Sequence, residues 1–209
     1  MKAFFRSPRL LTPKRVGIWL PIVVMLGISI DQLVERTGLA QVKRVTLSEM
    51  VTASGTVVSG RVVQVREGRH PHYRNIAVTF VTVEVEEVLK GAASHITRHE
   101  FMQFGGTGIT RIHDIPSYQV GEEVMLFLYP ESEQGFTSPV GGGQGKFYLK
   151  RDSQTGERWV SQALPNASLF DGIKMQKLTM AERELIGRAG SAMNYRAFSS
   201  LVRKLAQQQ

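Results

Sequence analysis

The chain has 209 residues, with 26 Lys and Arg against 18 Asp and Glu, for a formal net charge of +8. Its composition, 42% apolar and 21% charged, is that of a folded protein with one domain plus appendages. The complete lack of cysteine excludes disulfides, thiolate metal sites and a cysteine nucleophile. Residues 41–209 carry a net charge of only +4, which is too weak to indicate nucleic-acid binding by itself.

Residues 1–40 are predicted to be a signal peptide or a signal anchor. Five basic residues precede an uncharged run at 16–30. As a helix this run spans ~22 Å, less than the ~30 Å bilayer core, which suits a signal peptide cleaved after Ala40. The long, charged stretch at 31–40 favours an uncleaved membrane anchor instead, and a buried soluble helix is a third alternative. Either membrane alternative places the remaining chain outside the cytoplasm, in the periplasm or secreted.

Residues 41–165 are predicted to form one antiparallel β domain. Thr46 and Glu49 have the spacing of a capping box, which predicts a short helix at 46–53. Strands are predicted at 57–66, 76–89, 96–104, 124–129, 145–151 and 158–161. The uninterrupted apolar run at 124–129 indicates a central strand that is buried on both faces.

The first two strands change their apolar parity midway. The change falls between Val62 and Val63 in one strand and between Phe80 and Val81 in the other. Side chains alternate with period two, so a strand can change its buried face only through a bulge or sharp bend. We therefore predict a small, highly curved OB-like β-barrel. Gly60, within the first strand, is predicted to mark a close approach of backbones.

Residues 166–209 are predicted to form a helical tail. Thr179 and Glu182 make a second capping box, for a helix that ends by Gly190. Asn194 is predicted to cap a last helix with one apolar face. This face comprises Tyr195, Phe198, Leu201, Val202 and Leu205. It is expected to pack on the barrel, with a partner-binding or membrane-surface helix as the alternative.

The order of short motifs along the domain resembles a known group of proteins. The motifs are 46–51 (TLSEMV), 57–62 (VVSGRV), 79–91 (TFVTVEVEEVLKG), 104–106 (FGG), 121–128 (GEEVMLFL) and 143–147 (GQGKF). They resemble those of uncharacterised exported bacterial proteins with an OB-like barrel, similar to the tissue-inhibitor-of-metalloproteinase or netrin module. The resemblance implies fold and export but no activity. Metalloproteinase inhibitors chelate zinc through paired cysteines, which this chain lacks.

The five histidines are candidate metal ligands. His70 and His72 flank a proline, His95 and His99 are four residues apart, and His113 lies in a glycine-rich loop. Zinc or copper could use such imidazoles, but on a strand positions i and i+4 lie ~13 Å apart. We therefore predict exposed loop and strand histidines, and no metal site.

The remaining candidate chemistry favours structural roles. The glycine runs at 104–108 and 140–145 lack the lysine of a phosphate-binding loop and are predicted to be turns or corners. Glu84, Glu86 and Glu87 lie along one predicted strand, where Glu84 and Glu86 share the face opposite Val83 and Val85; a solvated strand face is predicted rather than a glycosidase pair. Ser59 has no adjacent histidine or nucleophile-elbow motif. No catalytic, cofactor-binding or metal-binding residue is assigned.

The leading hypothesis is an exported, non-enzymatic binding or scaffold module. Its long loops at 67–75 and 105–119 are predicted to form the contact surface. A cysteine-free regulator or inhibitor of a secreted protease is the first alternative. The second is an OB protein that binds single-stranded nucleic acid, although export makes nucleic acid a poor candidate. The rim of such a site would comprise Tyr73, Arg74, Phe101, Phe104 and Arg111.

Overall fold

The fold is mainly β, with a seven-stranded antiparallel sheet. The computed structural model describes residues 43–91, 96–105, 115–187 and 192–208. In chain order the elements are α1 (Leu47–Ala53), β1 (Thr56–Arg69), β2 (Ala77–Lys90), β3 (Arg98–Phe104), β4 (Glu123–Leu128), β5 (Lys146–Arg151), β6 (Arg158–Gln162), α2 (Met180–Gly187), β7 (Met193–Asn194) and α3 (Tyr195–Ala206). The strand order is β3-β2-β1-β4-β5-β6-β7.

The predicted N-terminal segment, residues 1–40, lies outside the described residues. Within the described ranges, no helix combines the length and apolar character needed to cross a bilayer. The localisation therefore stays a prediction.

The helix caps predicted from the sequence are confirmed. The Thr46 hydroxyl accepts from the Glu49 backbone N–H at 3.2 Å, and the Glu49 carboxylate accepts from the Thr46 N–H at 2.9 Å. Thr179 and Glu182 make the same reciprocal pair before α2. The Asn194 side chain accepts from the N–H three residues on and caps α3. Each cap provides a partner for backbone N–H groups that a helix start leaves unpaired.

The predicted bulge in β1 is confirmed. Val62 pairs with Val83 and Gln64 pairs with Thr82, so Val63 is an extra residue with no opposite partner. A bulge of this kind bends the strand and increases its twist. It falls at the point where the apolar parity of the sequence changes.

The corresponding prediction for β2 is wrong, because no register shift falls between Phe80 and Val81. The extra residues of β2 are Glu86 and Leu89, nearer its end. Phe80 is only half-buried, and the Arg66 guanidinium carbon lies 4.1 Å from its ring centroid. Stacking under a cation covers the ring without turning the strand.

Two hydrophobic cores lie on opposite faces of the central strands. In β4, Met125 and Phe127 point into a core shared with the helices, which we call the helix-side core. Val124, Leu126 and Leu128 point to the opposite face of the sheet, into a second core that we call the inner core. The helix-side core also contains Leu47, Met50, Phe147, Phe198, Leu201 and Val202. The inner core also contains Val58, Val62, Val81, Val83, Phe101 and Tyr118. The predictions of a doubly buried strand and of a packed apolar face on α3 are confirmed.

The described strands form an open sheet rather than the predicted closed barrel. In the ranges that the structure describes, β3 pairs with β2 alone and ends the strand order. Two single bridges approach closure through the segment after β4: Met102 with Phe136, and Leu128 with Pro139. Apart from the contact of Met102 with residues 136–137, an open seam therefore separates β3 from residues 128–135.

Strand β1 extends further than the sequence predicts. Residues 67–69, expected in a polar loop, continue the ladder, with Glu67 opposite Thr79 and Arg69 opposite Ala77. Backbone hydrogen bonds form this pairing regardless of side-chain polarity. β5 and β6 pair as an antiparallel hairpin, and their bounds lie within one residue of the strands predicted at 145–151 and 158–161.

We expect Gly60→Ala to destabilise the fold by about 2 kcal/mol, within the range for overpacking. A Cβ at this position would lie 2.0 Å from the Glu84 carbonyl oxygen. Urea denaturation of the full chain measures the change. Gly68→Ala is the matched control, because its Cβ would come no closer than 3.6 Å, to the Phe80 ring. Equal stability of the two variants would contradict the close approach.

Candidate functional site

A cleft of about 500 Å³ occupies the open seam, and we call it the seam cleft. One wall is β3 at residues 99–102, and the other is the segment at 128–137. The turn between β1 and β2, at residues 70–73, closes one end. This volume lies within the ~300–1,000 Å³ typical of small-ligand sites.

His70 joins the hairpin turn to the opposite wall. Its Nδ1 accepts from the backbone N–H groups of His72 at 3.1 Å and Tyr73 at 3.0 Å. Its Nε2 lies 2.8 Å from the Gln134 carbonyl oxygen. That oxygen can only accept, so Nε2 carries the proton and the ring is the neutral tautomer. The prediction of an exposed histidine is wrong here: His70 is 2% exposed, and both of its nitrogens have partners.

Aromatic rings surround this junction. The His70 ring centroid lies 4.9 Å from that of Tyr73 and 5.0 Å from that of Phe136. The ring centroids of Phe136 and Phe104 lie 6.0 Å apart. Tyr73, Phe104 and Tyr129 are 41–48% exposed, although large rings are usually more buried. Of these three rings, Tyr73 and Tyr129 line the seam cleft, which therefore has exposed aromatic side chains at its rim.

The charge of the seam cleft is opposite to that of the chain. Its lining includes Glu100, Glu131 and Glu133, and among the described residues that line it there is no Lys or Arg. The chain as a whole has a net charge of +8. Carboxylates and aromatic faces both attract cations. This combination favours a positively charged ligand.

His99 lies on the β3 wall with its ring stacked on Phe101 at 6.2 Å. Burial lowers the pKa of His99 below its ordinary value of 6.5, and the charge of Glu131 opposes this shift. The neutral imidazole is thus the form that the folded protein favours.

The structure brings together part of the predicted rim. Tyr73 and Phe101 line the seam cleft, whereas Phe104, whose ring contacts Phe136, lies outside its lining. Arg74 is exposed and outside the lining. Arg111, His95 and His113 lie outside the described residues, as does most of the loop predicted at 105–119.

The carboxylates of the opposite wall were missed from the sequence. Glu131 and Glu133 lie between the strands predicted at 124–129 and 145–151, in a segment for which the sequence predicts no strand or helix. Phe136 is the one signal there, because an aromatic residue in a polar loop often packs against the fold. Within the described residues, no cluster of three or more His, Asp or Glu side chains is arranged to hold a metal ion.

A buried lysine lies at the other end of the inner core. Lys146 is 1% exposed, and its Nζ donates to a Glu122 carboxylate oxygen and to the Ser117 carbonyl, each at 2.7 Å. The rings of Tyr118 and Tyr148 lie 4.5 and 4.8 Å from Nζ. Burial lowers the pKa of Lys146, and Glu122 opposes this shift. The arrangement holds the turn before β4 against β5 and leaves the amine closed to solvent.

A polar network ties α3 to the bulged strands. The Tyr195 hydroxyl lies 2.7 Å from that of the fully buried Ser59 and donates to Glu87. Arg203 forms an ion pair with Glu87. Glu84 and Glu86, the two residues predicted on a solvated face, are exposed, whereas Glu87 is half-buried and Ser59 is buried within the packing between helix and sheet.

No protein-family model matches this sequence, and neither the curated proteins nor the solved structures contain a significant match.

We expect His99→Gln to reduce the loss of stability on acidification. Because the pKa of His99 is lower in the folded state, protonation of this side chain favours the unfolded state. Its contribution to the free energy of unfolding is therefore fully present above pH 6.5 and is lost as the pH falls from there through the folded-state pKa. Urea unfolding at about pH 7.5 and about pH 5 measures this difference. His72→Gln is the control, because its side chain is exposed. Identical pH dependence of the wild type and His99→Gln would refute this account.

We expect Glu122→Gln to destabilise the protein by about 3 kcal/mol, because it leaves the Lys146 charge buried without its partner. Adding Lys146→Met to this variant should restore most of the loss. Chemical denaturation of the single and double variants measures both changes. A double variant no more stable than Glu122→Gln would show that the charge is not the source of the cost.

Proposed function

We propose that this protein is a non-enzymatic binding module that acts outside the cytoplasm and takes a cationic ligand in the seam cleft. The basic flank and uncharged run of residues 1–40 support export. The bulges in β1 and β2 support an OB-like barrel with an open seam. The observation that carries the proposal is the acidic, aromatic lining of this cleft in a basic chain.

The chemistry of the lining matches a cation in two ways. Glu131 and Glu133 are on one wall and Glu100 is on the other, so a cation between them gains charge-assisted hydrogen bonds. The exposed rings of Tyr73 and Tyr129 also line the cleft, and each can contribute about 0.5–2 kcal/mol to cation binding.

The same charges weigh against a single-stranded nucleic acid. Such ligands need a basic groove that follows the phosphates. Here the predicted stacking residues Tyr73 and Phe101 line a cleft with three glutamates. Phosphates in this cleft would meet like charges.

Titration with a matched pair of small probes tests the proposal. The cationic probe is N-acetyl-lysine N-methylamide, and the neutral probe is its norleucine counterpart. We expect the lysine amide to shift the backbone NMR signals of residues 99–102 and 131–137 in the full chain, held in a neutral detergent. The norleucine amide lacks the charge and should shift them far less.

Charge-neutralising variants provide the controls. Glu131→Gln combined with Glu133→Gln should weaken lysine-amide binding by about tenfold, the equivalent of ~1.4 kcal/mol. Glu157→Gln removes an exposed carboxylate outside the cleft and should leave binding unchanged. Equal binding of the two probes, or an equal effect of the two sets of variants, would overturn the proposal.

A further inference from the structure

Among the described residues, no strand pairs with the outer edge of β3, which borders the seam cleft. The Val85 N–H donates to the Thr97 carbonyl, and the Gly105 N–H donates to the Ala77 carbonyl, both at 2.9 Å. In an antiparallel ladder the backbone groups of alternate residues face the same neighbour. Odd-numbered residues of β3 therefore face β2, and the backbone groups of Glu100 and Met102 face away from it.

One of these outward groups already has a strand-like partner. The Thr137 N–H donates to the Met102 carbonyl at 2.9 Å, next to the single parallel bridge between Met102 and Phe136. For Glu100, no backbone hydrogen bond to its outward N–H or carbonyl occurs within residues 43–91, 96–105, 115–187 and 192–208. Within the part of the chain that the structure describes, the edge is thus covered at Met102 and has no backbone partner at Glu100.

The cleft follows this edge. Its β3 wall consists of four consecutive residues, 99–102, whose side chains alternate between the two faces of the sheet. A cavity lined by both sets adjoins the edge of a strand rather than one of its faces. The space beside β3 therefore has the position of an additional strand.

Resting on the proposed function, we infer that the cationic ligand is an extended peptide segment of another protein, which pairs with the outer edge of β3 as an added strand. Its backbone bonds the outward groups of Glu100, and a Lys or Arg side chain reaches Glu131 or Glu133 on the opposite wall. Strand addition uses main-chain hydrogen bonds for affinity and alternate side chains for specificity. The carboxylate lining makes a basic peptide the complementary occupant.

Backbone methylation of the peptide tests strand addition without altering the protein. Fluorescence anisotropy measures binding of a labelled peptide of alternating valine and lysine to the full chain. Two further peptides carry N-methyl groups on the odd or on the even amides. Only alternate amides of an added strand face β3, so we expect one methylated peptide to lose at least about tenfold in affinity and the other to bind nearly as well as the parent.

Variants of one position test the protein side. Glu100→Pro removes an outward N–H, and proline is tolerated at sheet edges; Glu100→Gln removes the same carboxylate and keeps the N–H. We expect Glu100→Pro to bind at least about tenfold more weakly than Glu100→Gln. Circular dichroism checks that each variant is folded. If Glu100→Pro does not fold, the comparison of the two methylated peptides with the wild-type protein tests strand addition instead.

The remaining outcomes separate the two proposals. Equal binding of both methylated peptides would overturn strand addition while leaving the cation site intact. No binding of either the valine–lysine peptide or the lysine amide would overturn both. Stronger binding of a valine–glutamate peptide would overturn the basic occupant. A wild-type dimer that Glu100→Pro converts to a monomer would show that a second copy covers the edge, which also overturns the inference.

Discussion

The backbone pairing of β1 with β4 is the constraint on which the rest of the structure depends, because both faces of this pair are buried. Thr56 to Arg61 pair with Leu128 to Glu123 in one continuous register. A slip by one residue would exchange the side chains of the helix-side core with those of the inner core. The pairing therefore sets both cores together.

Curvature follows from the irregularities on the other side of β1. With Val63 as an extra residue in β1, and Glu86 and Leu89 as extra residues in β2, the two long strands cannot run flat. Coiling accounts for the approach of β3 to the segment after β4, where Met102 and Leu128 each form a single bridge to residues 136–139. The seam cleft is the space that this incomplete approach leaves.

The walls of the seam cleft are fixed in position by contacts between residues of the protein itself. His70 connects the hairpin turn to the Gln134 carbonyl, and the surrounding rings pack on Phe136. A ligand entering the cleft therefore meets walls that are already positioned. Preorganised walls reduce the conformational entropy lost on binding.

The sequence predicts those features that depend on local periodicity. The capping boxes, the doubly buried β4 and the bulge at Val63 follow from spacing alone. The burial of His70 does not, because its Nε2 partner, Gln134, is 64 residues away. The absence of a bulge at Phe80 depends on Arg66, which lies on the neighbouring strand.

The sequence predicts only part of the candidate site, because the site also depends on residues that are distant from one another in the sequence. Tyr73 and Phe101 stand out as exposed-loop and strand aromatics, and both line the seam cleft. Glu131 and Glu133 stand in a loop without regular structure, where side-chain periodicity carries no information. Their charge becomes meaningful only when the fold places them opposite Glu100.

Hydrogen exchange of the backbone amides in β3 distinguishes an unpaired strand edge at Glu100 from a covered one. We expect slow exchange at His99 and Phe101, whose N–H groups face β2, and fast exchange at Glu100 between them. We also expect the valine–lysine peptide to slow exchange at Glu100. Exchange at Glu100 as slow as at Phe101 in the free protein would contradict an open edge.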